Sequence, residues 1–162
     1  MLSGVELTPE QLEKFRQTGI RLDREGRFWH EGEEITHEGF RRALLRWLDR
    51  LEDGRPVLRL DERRYAYVDV DDTELLARGA RWEGDRLIVV LNDGTEEELA
   101  YDTLRVRGDN SVVCAVRRGR LKARITTAAY QVLSQRVVET DDGCFALEAA
   151  GRRYVIVANS ES

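Results

Sequence analysis

RRYAYV at residues 63–68 returns as RRYVIV at residues 152–157, and whether that echo is architectural decides how the rest of the chain is read. Pairing residues 35–50 with 125–140, and 53–68 with 142–157, gives ten identities in 32 positions. Ile35, Thr36, Arg46, Asp53, Gly54, Leu58, Arg63, Arg64, Tyr65 and Val68 each meet the same residue in the second stretch. Composition alone supplies about two such matches. The order of elements agrees as well: a hairpin, a Thr-led helix with an aromatic on its first turn, an Asp-Gly stop, a strand and an Arg-Arg-Tyr strand. This reads as an internal duplication. The expected fold is α+β, two copies of a hairpin-helix-hairpin unit with mainly antiparallel sheets, plus a central β meander. Residues 1–18 are expected to form an N-terminal helix or extension, 19–75 the N-terminal repeat, and 76–162 the C-terminal repeat with the meander. Each copy is too small to bury its apolar faces alone, so the copies are expected to pack together and share the meander, with a ligand site where they meet.

Local signals fill in this frame. Thr8-Pro9-Glu10-Gln11 supplies an N-cap, a proline at the first helical position and a capping-box glutamine, which predicts a short helix ending at Gly19. Extended character on both sides of Arg24-Glu25-Gly26 predicts a hairpin. Thr36 is placed to cap a second helix, whose Phe40, Ala43, Leu44, Trp47, Leu48 and Leu51 recur on one face until Asp53-Gly54. Strands are expected at 57–60 and 65–70. Turns at 83–85 and 92–94 flank Leu87–Leu91 and define the meander. A further hairpin is expected from 111–116 and 121–125. Thr126 then opens a helix carrying Tyr130, Leu133 and Val137, Asp142-Gly143 stops it, and strands at 145–149 and 154–157 follow.

Composition limits the function. With 41% hydrophobic and 35% charged residues among 162, and only two prolines, the chain has enough apolar material to fold. It has no run of 18 apolar residues and no basic start followed by an apolar stretch, so neither membrane insertion nor export is indicated and the expected location is cytoplasmic. A net charge of −5 speaks against general nucleic-acid binding. Cys114 and Cys144 fall in no metal-ligand spacing and read as free thiols. Of 26 basic residues, 24 are arginine.

FWHEG (28–32), VDVDD (68–72), LNDGTEE (91–97), RRGRLKARI (117–125) and DDGCFALEAAGRRYVIV (141–157) fall in an order that resembles the bacterial domain-of-unknown-function family 1285. The resemblance spans roughly residues 19–158 and implies a duplicated α+β fold, with ligand binding linked to signalling. The chain departs from the family pattern at Thr73-Glu74, where a small residue and a proline are expected.

Several motifs bear on chemistry. Asp69-Val70-Asp71-Asp72-Thr73 resembles the nucleophile loop of haloacid-dehalogenase-type phosphatases, in which Asp69 would attack phosphorus and Asp71 would serve as acid and base beside Mg²⁺. Lys14 or Lys122 would have to support it, with Asp141-Asp142 as the later acidic motif. Such enzymes rest on a doubly wound parallel sheet, whereas hairpins follow here. His30 and His37 stand among glutamates but seven apart, outside the HExxH spacing of a zinc site. Arg117 to Arg124 carries five positive charges, with Arg120, Lys122 and Arg124 expected on one strand face as an anion cradle. GxSxG, GxGxxG and P-loop patterns are lacking.

These readings converge on a noncatalytic cytoplasmic ligand-binding or regulatory module without a cofactor or metal. Its partner would be a small anionic or amine ligand, not nucleic acid or membrane. Trp29, Arg64, Tyr65, Asp71 and Asp72 are the expected lining: aromatics for stacking, carboxylates for an amine, arginine for an anion. A Mg²⁺-dependent phosphohydrolase using the DVDDT motif is the first alternative, and a protein-interaction scaffold using unpaired sheet edges the second.

Overall fold

The structure, a computed structural model, describes residues 16–158. The helix expected from Thr8 falls outside the described residues except at its end, where the chain is already extended at Gln17 rather than helical to Gly19. Contacts divide the protein into two compact units, one ending at Asp72 and the other beginning at Thr73.

In the first unit, β1 (Gln17–Leu22), β2 (Phe28–His30) and β3 (Glu33–Glu34) precede α1 (Glu38–Trp47), which is followed by β4 (Leu48–Arg50), β5 (Pro56–Arg59) and β6 (Tyr65–Val70). The strands form one sheet in the order β3-β2-β1-β6-β5-β4. Only β1 and β6 run parallel; the other neighbours are antiparallel. Leu22, Phe28, Leu44, Leu48, Val57 and Val68 make up the buried centre, each contributing about 1.5–3 kcal/mol when fully removed from water.

The second unit opens with the expected meander: β7 (Leu75–Glu83), β8 (Arg86–Leu91) and β9 (Glu96–Glu98) pair antiparallel in sequence. Then come β10 (Arg105–Val106), β11 (Val112–Val116), β12 (Leu121–Ile125), α2 (Thr127–Leu133), β13 (Val137–Glu139), β14 (Phe145–Ala149), β15 (Arg152–Val155) and β16 (Val157–Ala158). A seven-stranded sheet has the order β16-β10-β11-β12-β7-β8-β9, and β13-β14-β15 form a separate antiparallel sheet. The α+β class with mainly antiparallel sheets is as expected. In both units a helix leads directly into a three-stranded antiparallel meander, β4-β5-β6 after α1 and β13-β14-β15 after α2.

Both helices end earlier than their apolar spacing suggests. α1 stops at Trp47, and Leu48 enters a strand; α2 stops at Leu133, a 3-10 turn spans Ser134–Arg136, and Val137 is extended. Asp53-Gly54 and Asp142-Gly143 are therefore hairpin turns, not helix stops. Their geometry is the same. Leu51 N–H donates to the Arg55 carbonyl (2.9 Å) and Gly54 N–H to the Leu51 carbonyl (2.9 Å), matched by Thr140 to Cys144 (2.7 Å) and Gly143 to Thr140 (3.0 Å). Gly54 (φ 90°) and Gly143 (φ 84°) hold the left-handed position that closes each loop.

The helix cap also differs from expectation. His37, not Thr36, is the N-cap of α1, its Nδ1 accepting the Phe40 N–H at 3.0 Å. Thr126 does occupy the cap position of α2, but its hydroxyl donates to the Ala77 carbonyl at 2.9 Å instead of accepting from the helix.

Because a Cβ at Gly54 or Gly143 would meet no atom within 4 Å, the cost of substitution there is conformational alone. Gly54→Ala and Gly143→Ala should each lower unfolding free energy by about 1–2 kcal/mol. Asn at either position should cost less than Ala, measured by urea denaturation.

Candidate functional site

A largely apolar groove with a volume of about 340 Å³ opens in the first unit. Phe40, Leu44 and Trp47 of α1 form one wall, spaced so that a single helix face presents all three. Thr18 and Ile20 of β1, Leu58 of β5, and Tyr65 and Ala66 of β6 form the other. Arg16, Arg63 and Arg64, with Leu60, stand at its edge. Phe40 and Leu60 are 41% and 53% exposed, large apolar side chains left open to water within one concavity.

An irregularity in β1 shapes this opening. Gln17 pairs with Tyr67 while Arg21 pairs with Asp69, so β1 carries two extra residues over that interval. The Thr18 hydroxyl bridges the break, donating to the Tyr67 carbonyl at 3.0 Å and accepting the Ile20 N–H at 3.2 Å. Gly19 takes φ 70° there.

The aromatic and cationic groups of the groove are coupled. Arg16 lies 3.9 Å above the Tyr65 ring and donates to the Arg63 carbonyl at 3.3 Å. Tyr65 meets Tyr67 edge to face at 6.2 Å between centroids. Arg64 engages Asp61 through Nε at 2.6 Å. Hydrogen bonds from the Arg64 side chain and from the Arg64 and Arg63 backbone hold the exposed Asp61 carboxyl below its ordinary value.

Of the five expected lining residues, Arg64 and Tyr65 lie in this groove. Trp29, Asp71 and Asp72 do not line it; they belong to a polar lock between β1, its hairpin and the end of β6. Arg21 reaches Asp71 at 2.5 Å and stands 5.8 Å over the Trp29 ring, and Arg24 reaches Asp72 at 3.2 Å. Beneath them Asp23, 7% exposed, organises the hairpin. It accepts the N–H groups of Glu25 (2.9 Å) and Arg27 (2.8 Å), Arg27 Nε (3.1 Å) and Trp29 Nε1 (2.9 Å). Burial pushes its carboxyl up, but the bonds from Trp29 and Arg27 outweigh that and leave it lowered from 3.8.

The other motifs resolve individually. Asp69 is exposed on β6, a strand with one parallel and one antiparallel neighbour, not the centre of a parallel sheet. His37 Nδ1 is engaged in helix capping, and His30 approaches Glu31 at 4.0 Å. Among the described residues, His, Cys, Asp and Glu form no cluster of three able to hold a metal. Arg120 lies in the turn before β12, not on it, and Arg117 pairs with Asp93 at 2.5 Å. The Thr73-Glu74 departure is internal: Glu74 is 1% exposed and accepts the Lys122 N–H at 3.1 Å. No described helix is long and apolar enough to cross a membrane.

Sequence reasoning missed Phe40, Ile20 and Leu60 as site residues. Their helix or strand patterning reads as core, and only the tertiary arrangement leaves an opening between them.

A comparison with solved structures found two DUF1285 family proteins. One, from Silicibacter pomeroyi DSS-3, superposes with a TM-score of 0.72 at 20% identity, covering 86% of this chain and 80% of its own. The second, from Shewanella baltica OS155, gives 0.58 at 20% identity over 70% of this chain and 88% of its own. No family model and no curated protein matches the sequence. The chain thus has the fold of DUF1285 family proteins, the resemblance carried by its motifs.

Asp23→Ala removes the shared acceptor of four part-buried donors and should destabilise the protein by about 1–3 kcal/mol. The native carboxylate contributes above its unfolded value of 3.8 and loses that contribution as pH falls through its lowered folded value. The gap between native and variant midpoints in urea should therefore narrow below pH 4. The thiols should also separate: burial, with Glu97 nearby, raises buried Cys114 to about 12 while Cys144 is exposed. A maleimide at pH 7 should label Cys144 alone until the protein unfolds.

Proposed function

We propose that the chain is a noncatalytic ligand-binding module of regulatory character, and that its site is the groove between α1 and the β1-β6-β5 face of the first unit. One observation carries this reading: Phe40, Leu44, Trp47, Leu58, Leu60 and Tyr65 surround one opening of about 340 Å³, the small end of the range for small-molecule sites. Exposed Phe40 and Leu60 in that concavity are better accounted for by an occupant than by packing among the described residues.

The carboxylates of the DVDDT motif support binding over phosphoryl transfer. Asp71 and Asp72 are each drawn to an arginine of the β1 hairpin, so a metal ion would compete with Arg21 and Arg24 for them. Asp69 lies on the strand with its side chain exposed. The arrangement keeps these acids in a structural tie across the sheet.

A thermal-shift screen with small apolar and amphipathic molecules should find ligands that raise the melting temperature by several degrees at saturating concentration. Ala66→Trp, which fills the groove from β6, should remove that shift while leaving the far-ultraviolet circular dichroism unchanged. Phe40→Ala should weaken binding about tenfold. A full shift retained by Ala66→Trp would place the ligand elsewhere and overturn the reading.

A further inference from the structure

We infer that the groove's ligand is an anionic amphiphile, an apolar body lying against Phe40, Leu44, Trp47 and Leu58 with one negatively charged head held by Arg63 and Arg16. The inference rests on the groove being the binding site and adds the chemistry of its occupant.

The charge pattern of the groove runs against that of the chain. The protein carries 31 acidic residues against 26 basic ones, yet the described residues that line the groove include three arginines and no aspartate or glutamate. All three stand on the Tyr65 side: Arg63 and Arg64 in the turn before β6, and Arg16 next to β1. The rest of the described lining is apolar apart from Thr18, so an occupant meets both hydrocarbon and guanidinium groups.

The three arginines are held differently. Arg16 is seated on the Tyr65 ring and bonds the Arg63 carbonyl. Arg64 is tied to Asp61. Arg63 makes no ion pair among the described residues, although its backbone is fixed at both ends. Its N–H bonds the Asp61 carboxylate at 2.9 Å and its carbonyl accepts from Arg16. Asp61, which holds the Arg63 N–H, is already bound to Arg64 and to the turn's own N–H groups, so its charge is partly offset. A fixed backbone with an uncommitted guanidinium beside an apolar slot suits a carboxylate or phosphate head on an apolar tail. An amine head would face the Arg63 guanidinium as a like charge.

The test uses the full chain and four probes with one ten-carbon tail: decanoate, decyl phosphate, decanol and decyltrimethylammonium, followed by calorimetry and tryptophan fluorescence. Decanoate or decyl phosphate should bind at least tenfold tighter than decanol, with decyltrimethylammonium weakest. That preference should shrink toward unity in Arg63→Gln and Arg16→Gln and as salt rises, while decanol affinity stays unchanged. Relative affinity of the two anions then separates a carboxylate head from a phosphate head. Equal binding of all four probes, abolished by Ala66→Trp, would keep the groove and overturn the anionic head. Binding of none would overturn the groove itself. A doubled mass in light scattering, reversed by Ala66→Trp, would make the occupant a second copy of the chain and also overturn the inference.

Discussion

The parallel pairing of β1 with β6 is the constraint on which the first unit depends. Two parallel neighbours cannot be joined by a tight turn, so the chain between them has to cross over, and here the crossover contains α1 and the β4-β5 hairpin. β5 then adds to the free edge of β6, and α1 brings Phe40, Leu44 and Trp47 opposite the same strands. The groove is a consequence of that path. Its walls come from segments as far apart as Thr18 and Ala66, which share no local signal.

What holds β1 in place is a set of modest terms. Arg21 with Asp71 and Arg24 with Asp72 join the two strand ends, but partly exposed ion pairs contribute only about 0–1 kcal/mol each. The Asp71 N–H donates to the Leu22 carbonyl at 2.9 Å, extending the ladder past β6. Leu22 and Phe28, both fully buried, supply the larger apolar share. Asp23 sets the hairpin that allows Phe28 to turn inward. The aspartates that resemble a phosphatase loop are thus explained by the sheet: they sit where two parallel strands end together and arginines from one can reach acids from the other.

The hairpins were legible because their turns carry their own chemistry, and Asn92-Asp93-Gly94 was read correctly for that reason. The same turn at Asp53-Gly54 and Asp142-Gly143 was misread because an apolar period preceded it. Leu48 and Leu51 extend the helical spacing of Phe40, Leu44 and Trp47, yet Leu48 is buried just as well as a strand residue opposite Leu58. Over four residues, helix and strand periods are not separable. The cap moved from Thr36 to His37 because an imidazole nitrogen can accept the N–H that a hydroxyl was expected to take. The site was only partly legible. Arg64 and Tyr65 stood out through the repeated Arg-Arg-Tyr, whereas Phe40 and Ile20 carry no feature that separates a groove wall from a core.

The repeated Arg-Arg-Tyr itself shows how tertiary pairing assigns a role to a sequence. Tyr65 begins β6, an inner strand flanked by β5 and β1, lines the groove and carries Arg16 over its ring. Tyr154 lies in β15, an edge strand of a three-stranded sheet, and its ring stacks on Tyr101 at 5.0 Å. The register differs too: Leu58 faces Ala66, but Leu147 faces Tyr154. That one-residue slip carries Arg152 and Arg153 into the strand, where Arg153 pairs with Glu148 at 2.9 Å, while Arg63 and Arg64 stay in a turn. In the second unit β12 pairs in parallel with β7, so among the described residues β15 gains no neighbour equivalent to β1, and Arg152 and Arg153 line a separate opening with Asp85, Arg136 and Glu148. The same six-residue pattern therefore leads into an inner strand in one unit and forms an edge strand in the other, and the difference lies in which strand the preceding hairpin takes as its neighbour.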